Sequence, residues 1–481
     1  MSIDIGISII ELEGLRDIDR KTHYLPNNEG IYSDYYNTYQ TCYWSSSNLI
    51  ENKYNILDTN DKLHCSYSLN KNYHFLTHTY ISFYTSEWEI KDCYKDKVEI
   101  ALTKNFGHNY IKEALFKIDD EPINRFDNID CDFYFSFNHK NFDCKAMHEK
   151  KIGNIKVLNS FSDYIPNYGI YFKQPFFYCY REANAFPLFL FNSQVKFSHE
   201  YFFRKIEDLI RLRIKHKNPE TGREEWYYAK SNFIKENFKE YIKEKHSPMK
   251  PPNLFSEYIH ICDEEHKMHG CNFSKELEDI KKIKLNYKQL YNPRIENSKN
   301  VSFCDLDANK LCAGLIWSAL NEESLDYNIY SNYTNRIIDD EKKGKSPIIS
   351  NTLKYKGHFK LLDLFNDHFT VMQPMEHFTS IPYNELIFCY AHGSSPFSPY
   401  ADSALFYSTN GGSTLSCSLI DTNENINTVY IESEDDAYRK KKKVVYKVLS
   451  SKNKHTLEVR MICLETYSPE NKKLNINKTN N

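Results

Sequence analysis

Short aromatic-rich segments separated by polar residues dominate the first half of the chain. Several alternate apolar and polar side chains, as in the run from Gln194 to Ser198. A period of two is typical of β-strands with one buried face. No long helical pattern intervenes, so the spacing predicts a sandwich or barrel. The predicted strand segments are HFLTHTYISFYT (74–85), VEIALT (98–103), EALFKI (113–118), CDFYFSF (131–137), YFKQPFFYCY (171–180) and FPLFLFNSQVKFSHEYFF (186–203).

The middle of the chain, over 205–250, is highly charged and has a different pattern. Within SNFIKENFKEYIKEKHS (231–247), apolar residues recur at helical spacing and predict an amphipathic helix. These apolar residues are Phe233, Ile234, Phe238, Tyr241 and Ile242. Pro248, Pro251 and Pro252 follow and would end the helix. We interpret this region as a connector with an insertion between two β-rich halves.

Strand character resumes at FSEYIHICD (255–263) and continues to about residue 466. The chain is 481 residues long, which is enough for two or more domains. We therefore expect Trp88 and Trp317 to be partly or wholly buried in two sandwiches. The expected units are an N-terminal arm (1–35), a first sandwich (36–210), a connector (211–252), a second sandwich (253–467) and a flexible tail (468–481).

Composition and charge exclude several classes of protein but indicate no particular function. Lys and Arg total 62 against 65 Asp and Glu, so the net charge of −3 gives no whole-molecule attraction to nucleic acid. No apolar run reaches about 18 residues, and the first residues lack the basic start of a secretory signal. Thirteen cysteines occur without a C-x-x-C pair, which predicts reduced thiols and no disulfide needed for folding.

Sequence motifs for catalysis or cofactor binding are missing. The chain has no phosphate-binding glycine loop, no H-E-x-x-H and no G-x-S-x-G. We therefore expect no catalytic, cofactor-binding or metal-binding residues. Cys262, His266, His269 and Cys271 offer four possible zinc ligands, but their spacing matches no standard site. A solvated structural segment is the favoured interpretation there.

Three further patterns allow weaker hypotheses. His358, Asp367, His368 and His377 could hold a metal in an enzyme built on a β-barrel. The basic run 439–443 follows the acidic run 432–436, and a solvated loop is favoured over a phosphate contact. A solvent-facing group of aromatic residues would instead indicate a carbohydrate- or protein-binding module, and the sequence does not locate one.

Four segments, in order, resemble the double jelly-roll major capsid proteins of the nucleocytoplasmic large DNA viruses. The first covers 102–137, where Gly107-His108, Ile111-Lys112 and Ile123 match, and Leu102 replaces the usual Trp. The second covers 175–202, an aromatic strand followed by a Leu/Pro-rich run. Its matching residues are Phe177, Cys179, Pro187, Leu188, Val195 and Phe197.

The third and fourth segments lie in the second half. The third joins 255–265, resembling the opening strand of the family's second jelly roll, to Leu315–Trp317 and the aromatic loop 330–333. The fourth, 353–408, is the most specific. It departs from the family at 393–404, where the usual Arg and Ile are replaced. Its matching residues are Gly357, His358, Asp367, Phe369, Gln373, Pro374, His377, Thr379, Pro382 and Tyr390.

The resemblance implies an all-β fold of two consecutive eight-stranded jelly-roll sandwiches, with a helical, charged connector and loop insertions. It implies a non-enzymatic virion protein without cofactors. Three copies would form a pseudo-hexagonal capsomer that contacts neighbouring capsomers, minor capsid proteins and inner-membrane proteins. It implies no sequence-specific nucleic acid binding. The protein would lie in the virion, and in the host cytoplasm or viral factory during assembly. The alternatives are a scaffold protein of immature particles and a β-sandwich binding module.

Overall fold

The structure is a computed structural model, and it is built mainly from β-strands. Among the residues it describes, no helix is both long and apolar enough to cross a membrane. The described residues are 45–58, 63–180, 184–191, 194–218, 221–245, 249–263, 285–297, 301–338, 343–382, 386–393, 395–397, 404–409, 411–420, 422–436, 439–452 and 454–467.

Sixteen strands precede residue 264 in the described part of the chain. They are β1 (Ser45–Asn52), β2 (Tyr54–Ile56), β3 (His64–Ser68), β4 (Phe75–Tyr84), β5 (Trp88–Ile90), β6 (Val98–Leu102), β7 (Ile111–Ile118), β8 (Glu121–Phe126), β9 (Tyr164–Ile165), β10 (Gly169–Lys173), β11 (Phe186–Pro187), β12 (Phe197–Phe203), β13 (Ile210–Lys217), β14 (Glu224–Ala229), β15 (Ile242–Glu244) and β16 (Asn253–Ile261).

The first sandwich consists of two five-stranded antiparallel sheets. One has the order β1-β16-β4-β10, with β11 also paired to β4, and the other has the order β2-β3-β12-β7-β8. Burial alternates along β7, as expected for a strand with one face in the core. Both sheets contribute aromatic side chains to one core, including Phe83 and Phe172 from the first and Phe116 and Tyr201 from the second.

Twelve more strands follow in the second half. They are β17 (Leu285–Tyr291), β18 (Arg294–Asn297), β19 (Val301–Asp305), β20 (Lys310–Asn321), β21 (Ile348–Tyr355), β22 (His358–Leu364), β23 (Phe388–Ala391), β24 (Leu405–Tyr407), β25 (Thr414–Leu419), β26 (Asn423–Asp436), β27 (Arg439–Lys452) and β28 (His455–Tyr467).

The second sandwich also has two five-stranded sheets. Their orders are β17-β28-β20-β23, with β24 paired to β20, and β18-β19-β25-β21-β22. The turn between β21 and β22 places Lys356 at φ 51° and Gly357 at φ 77°. Two positive φ angles in a two-residue hairpin loop favour glycine. This accounts for the Gly357 of the family resemblance.

Trp88 and Trp317 are both 1% exposed, so the prediction of their burial is confirmed. Trp317 lies in the second core between Phe369 and Phe388, with ring centroids 5.2 and 5.9 Å away. Its indole N–H donates to Asn351 Oδ1 at 2.9 Å. The second sandwich therefore has an aromatic core of its own.

Helices occupy the connections between strands. They are α1 (Phe106–Tyr110), α2 (Asn128–Phe137), α3 (Phe142–Lys151), α4 (Lys156–Asn159), α5 (Ser231–Tyr241), α6 (Glu322–Leu325) and α7 (Gln373–His377). A π-helical turn, His368–Met372, leads into α7. The predicted amphipathic helix of the connector is α5, and it buries Phe233 and Ile234.

The predicted strand over 131–137 is wrong, because these residues form most of α2. Its alternating letters gave a strand pattern, yet nearly every side chain of the helix is buried, whether polar or apolar. Asp127 and Asp130 form a capping box at its start, with hydrogen bonds of 2.8 and 2.9 Å. This local signal favours a helix and outweighs the apparent period of two.

Strand β16, which the sequence placed at the start of the second sandwich, lies instead in a sheet of the first. It pairs with β1 and β4 along its length. The charged connector is also more regular than expected, since β13 and β14 form a hairpin that pairs with β6. We therefore propose that the boundary between the sandwiches lies after β16.

The longest hairpin joins the two halves. Strands β26 and β27 pair over 14 residues each, and β26 also pairs in parallel with β14 through Tyr228 and Ala229. The basic run was expected in a solvated loop, but it lies on strand β27, where Lys442 and Lys443 are exposed. The register places Glu432 opposite Lys443. Oppositely charged residues in facing register stabilise a strand pair.

The cysteines support a test of folding without disulfides. The eleven described cysteines form no disulfide, and nine of them are buried, where they act as small apolar groups. We predict that adding reductant leaves the melting temperature of the protein unchanged within error. A structural bridge typically contributes about 2–5 kcal/mol. A drop of many degrees in a calorimetric scan with reductant would therefore contradict this prediction.

Candidate functional site: the junction between the two sandwiches

The two sandwiches meet through a packed junction, and strand β20 lies at its centre. Ten consecutive residues of this strand are buried. Leu315, Trp317 and Ala319 belong to the core of the second sandwich. Ala313 and Ile316 belong instead to the core that fills the first sandwich. Side chains of this one strand therefore pack into both cores. The two halves are joined by buried apolar contacts like those inside a single domain.

A buried arginine on β28 binds the first half from the second. Arg460 is 2% exposed, and its guanidinium reaches two acids at the start of α2. Nε donates to Asp130, and Nη2 donates to Asp127 Oδ2 at 3.1 Å. Nη1 donates to Glu458 Oε2 at 2.9 Å on the same strand. Three carboxylates therefore surround one guanidinium at the junction.

The same two acids also cap α2, so Asp127 and Asp130 both bind Arg460 and begin the helix. Asp127 Oδ1 accepts the backbone N–H of Asp130, and Asp130 Oδ2 accepts that of Asp127. A carboxylate at a helix start is favoured by the helix dipole. Burial and Asp127 raise the pKa of Asp130 to about 7, against the opposing effect of Arg460. The helix start and the Arg460 contacts are therefore expected to form together.

A second polar network crosses the junction close by. His108 Nδ1 lies 2.7 Å from Asp132 Oδ1, and both side chains are 2% exposed. Tyr333 of the second half donates its hydroxyl to Asp132 Oδ2 at 2.9 Å. Asn105 donates to Asp132 Oδ1 at 3.0 Å. These bonds satisfy a buried carboxylate, which would otherwise be costly.

Gly107 precedes His108 because the backbone of α1 comes very close to its neighbours. A Cβ at this position would lie 2.9 Å from the Phe172 ring and 3.2 Å from Ile152 Cα. The amide of Gly107 donates to the carbonyl of Ile152 at 2.8 Å. A larger residue would displace α1 and with it His108. The Gly-His pair of the family resemblance thus has a packing explanation at the junction.

Three histidines gather around Phe135 in a cavity of about 170 Å³ beside this network. His108 Nε2 lies 3.1 Å from His148 Nε2, and the rings of His139 and His148 are 5.0 Å apart. Burial, Lys145 and His108 lower the pKa of His139 to about 4. Burial, His108 and His139 lower the pKa of His148 well below its usual value.

Lys145 connects this cavity to the second sandwich. Its Nζ donates to the carbonyls of Ser136, at 3.3 Å, and Ile381, at 2.5 Å. Burial lowers its pKa to about 8, against the opposing effect of Glu149. Ser380 and Thr379 also bond to the carbonyl of Phe137. These hydrogen bonds connect segment 379–381 to the end of α2 and to α3.

We predict that acid weakens the folded protein through His139 and His148. Their folded-state pKa values lie below the ordinary value of about 6.5, so protonation favours the unfolded chain. The stabilising effect is complete above about pH 6.5 and is lost as pH falls toward 4. For His139 the loss is about 2–3 kcal/mol. Urea unfolding at pH 7 and pH 4.5 measures it.

The control is a double variant, His139→Asn with His148→Gln. It keeps Asp132, Lys145 and Glu149, which line the same cavity as the histidines. Its free energy of unfolding should fall less between pH 7 and pH 4.5 than that of the wild type. An identical fall in both proteins would show that these histidines do not contribute.

The described residues among those singled out by sequence are not gathered into a metal site. Cys262 is buried after the end of β16, while His266, His269 and Cys271 lie outside the described residues. Within the described ranges, no three His, Cys, Asp or Glu side chains are placed to hold a metal ion. His358 at the start of β22 and His377 at the end of α7 therefore belong to no such group. The expectation that the chain has no catalytic or cofactor-binding residues stays a prediction.

The junction residues themselves were missed by sequence reasoning. Two signals were available for them. The spacing Asp127-x-x-Asp130 before an apolar run is a helix N-terminal signature. Arg460 interrupts the apolar strand segment 459–464, and a charged residue in such a strand is rarely buried without a partner.

Solved structures with the same architecture cover most of the chain. The Faustovirus major capsid protein aligns over 89% of this chain and 91% of its own, with a TM-score of 0.61 and 6% identity. The PBCV-1 virus capsid model aligns over 89% and 95%, with a TM-score of 0.57 and 12% identity. The chain has the double jelly-roll fold of viral major capsid proteins. The resemblance seen in the sequence is confirmed for the fold.

A curated relative supports the same grouping on sequence. The chain is 23% identical over 269 residues to "Probable capsid protein 4" of Acanthamoeba polyphaga mimivirus. The match covers 54% of this chain and about half, 49%, of that protein. No family model matches the chain. The double jelly-roll architecture therefore persists here at low sequence identity.

Proposed function

We propose that the chain is a structural capsid protein and not an enzyme. The observation that carries this proposal is the junction, where two jelly rolls share core packing on both sides of β20. A subunit of a shell must present its two jelly rolls as one rigid unit. The buried contacts of Arg460 and Asp132 across the junction supply such rigidity.

In this proposal three copies form a capsomer. Six jelly rolls from three protomers give a block of nearly hexagonal outline that can tile a shell. A cyclic trimer uses a heterologous contact that closes on itself. An obligate contact of this kind buries more than about 2,000 Å². The half-buried aromatic residues Phe189, Phe191 and Phe202 supply apolar surface of the kind that such contacts use.

The further partners are neighbouring capsomers, minor capsid proteins and proteins of an inner viral membrane. Sequence-specific nucleic acid binding is not part of the proposal, and neither is a cofactor. The protein would reside in the virion capsid, after assembly in the host cytoplasm or a viral factory. Support for this placement comes from the capsid proteins that share the fold.

Sedimentation of the purified protein tests the trimer. Analytical ultracentrifugation over a hundredfold dilution, in reducing buffer at neutral pH, should show a species of three times 57.2 kDa. Because partners stabilise the folded protomer, dilution should shift the population toward smaller species. A strictly monomeric protein at micromolar concentration would remove the capsomer proposal and favour a binding module.

A further inference from the structure

Exposed apolar side chains are concentrated in one short part of the second sandwich. Twenty large apolar residues are exposed in the described part of the chain, and seven of them fall within 349–381. These seven are Ile349, Phe359, Leu362, Phe365, Met372, Met375 and Ile381. Phe365 is 84% exposed, the highest value among the twenty. Scattered apolar residues are ordinary on a surface, but a cluster indicates an interaction site.

This cluster meets another apolar surface at the junction. Segment 379–381 follows α7 directly and packs on α3, where Lys145 donates to the carbonyl of Ile381. Helix α3 exposes Phe142 and Met147. We call these two sets of exposed apolar residues together the junction strip, and it has members in both sandwiches. It consists of Leu362, Phe365, Met372, Met375, Ile381, Phe142 and Met147.

The first-sandwich end of the junction strip contains a groove of about 810 Å³. Met147 and Cys144 of α3 form one wall, and Tyr80 and Tyr171 lie in the sheet opposite. These two tyrosine rings stack at 5.5 Å. Lys140 and Lys151 also line the groove. The aromatic walls of this groove could contact an apolar side chain, and its lysines could pair with acidic residues on either side of that side chain.

The two ends of the junction strip carry opposite charge. Residues 361–377 contain the acids Asp363, Asp367 and Glu376 and no lysine or arginine. Residues 138–151 contain three exposed lysines, Lys140, Lys150 and Lys151, against two acids. Contact between two like ends would be repulsive, whereas contact between unlike ends is attractive. This polarity favours a head-to-tail arrangement of identical copies, which forms a ring when its rotation closes.

We propose that the acidic end of the junction strip on one copy docks onto the basic end, with its groove, on a second copy of this chain. Phe365 and Met375 are the apolar anchors on the acidic side. The proposal rests on the capsomer function proposed above and names the surface that would form it. Each copy then uses one end toward each neighbour.

The first test is truncation of the most exposed anchor in the full-length chain. Phe365→Asn should raise the concentration at which trimers dissociate by at least about thirtyfold, as loss of an interface hot spot does. The matched control is Leu57→Asn, since Leu57 is 52% exposed and follows β2, which is not part of the junction strip. Control and wild type should dissociate at the same concentration in ultracentrifugation. Circular dichroism confirms that the variants fold.

The second test uses charge reversal, which does not depend on removing an apolar side chain. Asp367→Lys with Glu376→Lys, or Lys140→Glu with Lys151→Glu, should each weaken the trimer. All four changes in one chain should restore it, because unlike ends again face each other. Full trimer stability in Phe365→Asn and in both charge variants would overturn the proposed surface alone. A monomeric wild type would overturn the capsomer as well.

Discussion

Replacing Arg460 by methionine should lower the free energy of unfolding by about 3–5 kcal/mol. The change leaves Asp127, Asp130 and Glu458 without the guanidinium that they surround. Removing one partner of a buried ion pair leaves uncompensated charge, which is far more costly than losing a surface pair. Urea unfolding at pH 7, followed by tryptophan fluorescence, measures the effect.

Arg125→Met provides the matched control for this experiment. The side chain of Arg125 is 62% exposed and pairs with Glu113 at 3.4 Å. Such an exposed pair contributes about 0–1 kcal/mol. Arg460→Met should therefore lower the free energy of unfolding much more than Arg125→Met does. Equal effects would show that the Arg460 contacts do not hold the halves together.

Trp317→Ala should destabilise the second sandwich by about 3–5 kcal/mol. The indole fills the space between Phe369 and Phe388 and donates to Asn351. The variant therefore leaves a cavity, and Asn351 Oδ1 keeps only the weaker donor Cys417 Sγ, at 3.3 Å. Trp226→Ala serves as the control, because that residue is only partly buried on β14. Calorimetry should show a large drop in melting temperature for the first variant and a small one for the second.

The outcome for Trp317 also bears on how the two sandwiches fold. Because β20 contributes to both cores, weakening the second core should weaken the first as well. One cooperative transition at a lower temperature is therefore expected. Two separate transitions, with one unchanged from the wild type, would show that the junction does not couple the sandwiches.

Sequence patterns predicted the strands that have one face in a core and one face toward solvent. β7 is an example, since its burial alternates and its apolar letters, apart from Leu115, lie at the buried positions. The pattern failed over 131–137 because α2 is buried on nearly all sides. A helix without a solvent-exposed face shows no helical spacing of apolar residues in its sequence. The strand at β16 was predicted correctly, but its assignment to the second sandwich was wrong, because its partners β1 and β4 lie far away in sequence.

The junction was beyond prediction for a related reason. Arg460 is more than 300 residues from Asp127 and Asp130 along the chain. Each signal was present locally, but only the fold brings the cation and the acids together. The family resemblance supplied the architecture, whereas it did not indicate which side chains connect the two jelly rolls.

The capsid role itself is tested most directly by the composition of virus particles. Quantitative mass spectrometry of purified particles from the virus that encodes this chain measures its copy number. As a major shell component, the protein should be among the most abundant in mature particles. Abundance in immature particles with loss from mature ones would indicate a scaffold, and absence from both would contradict a structural role in the particle.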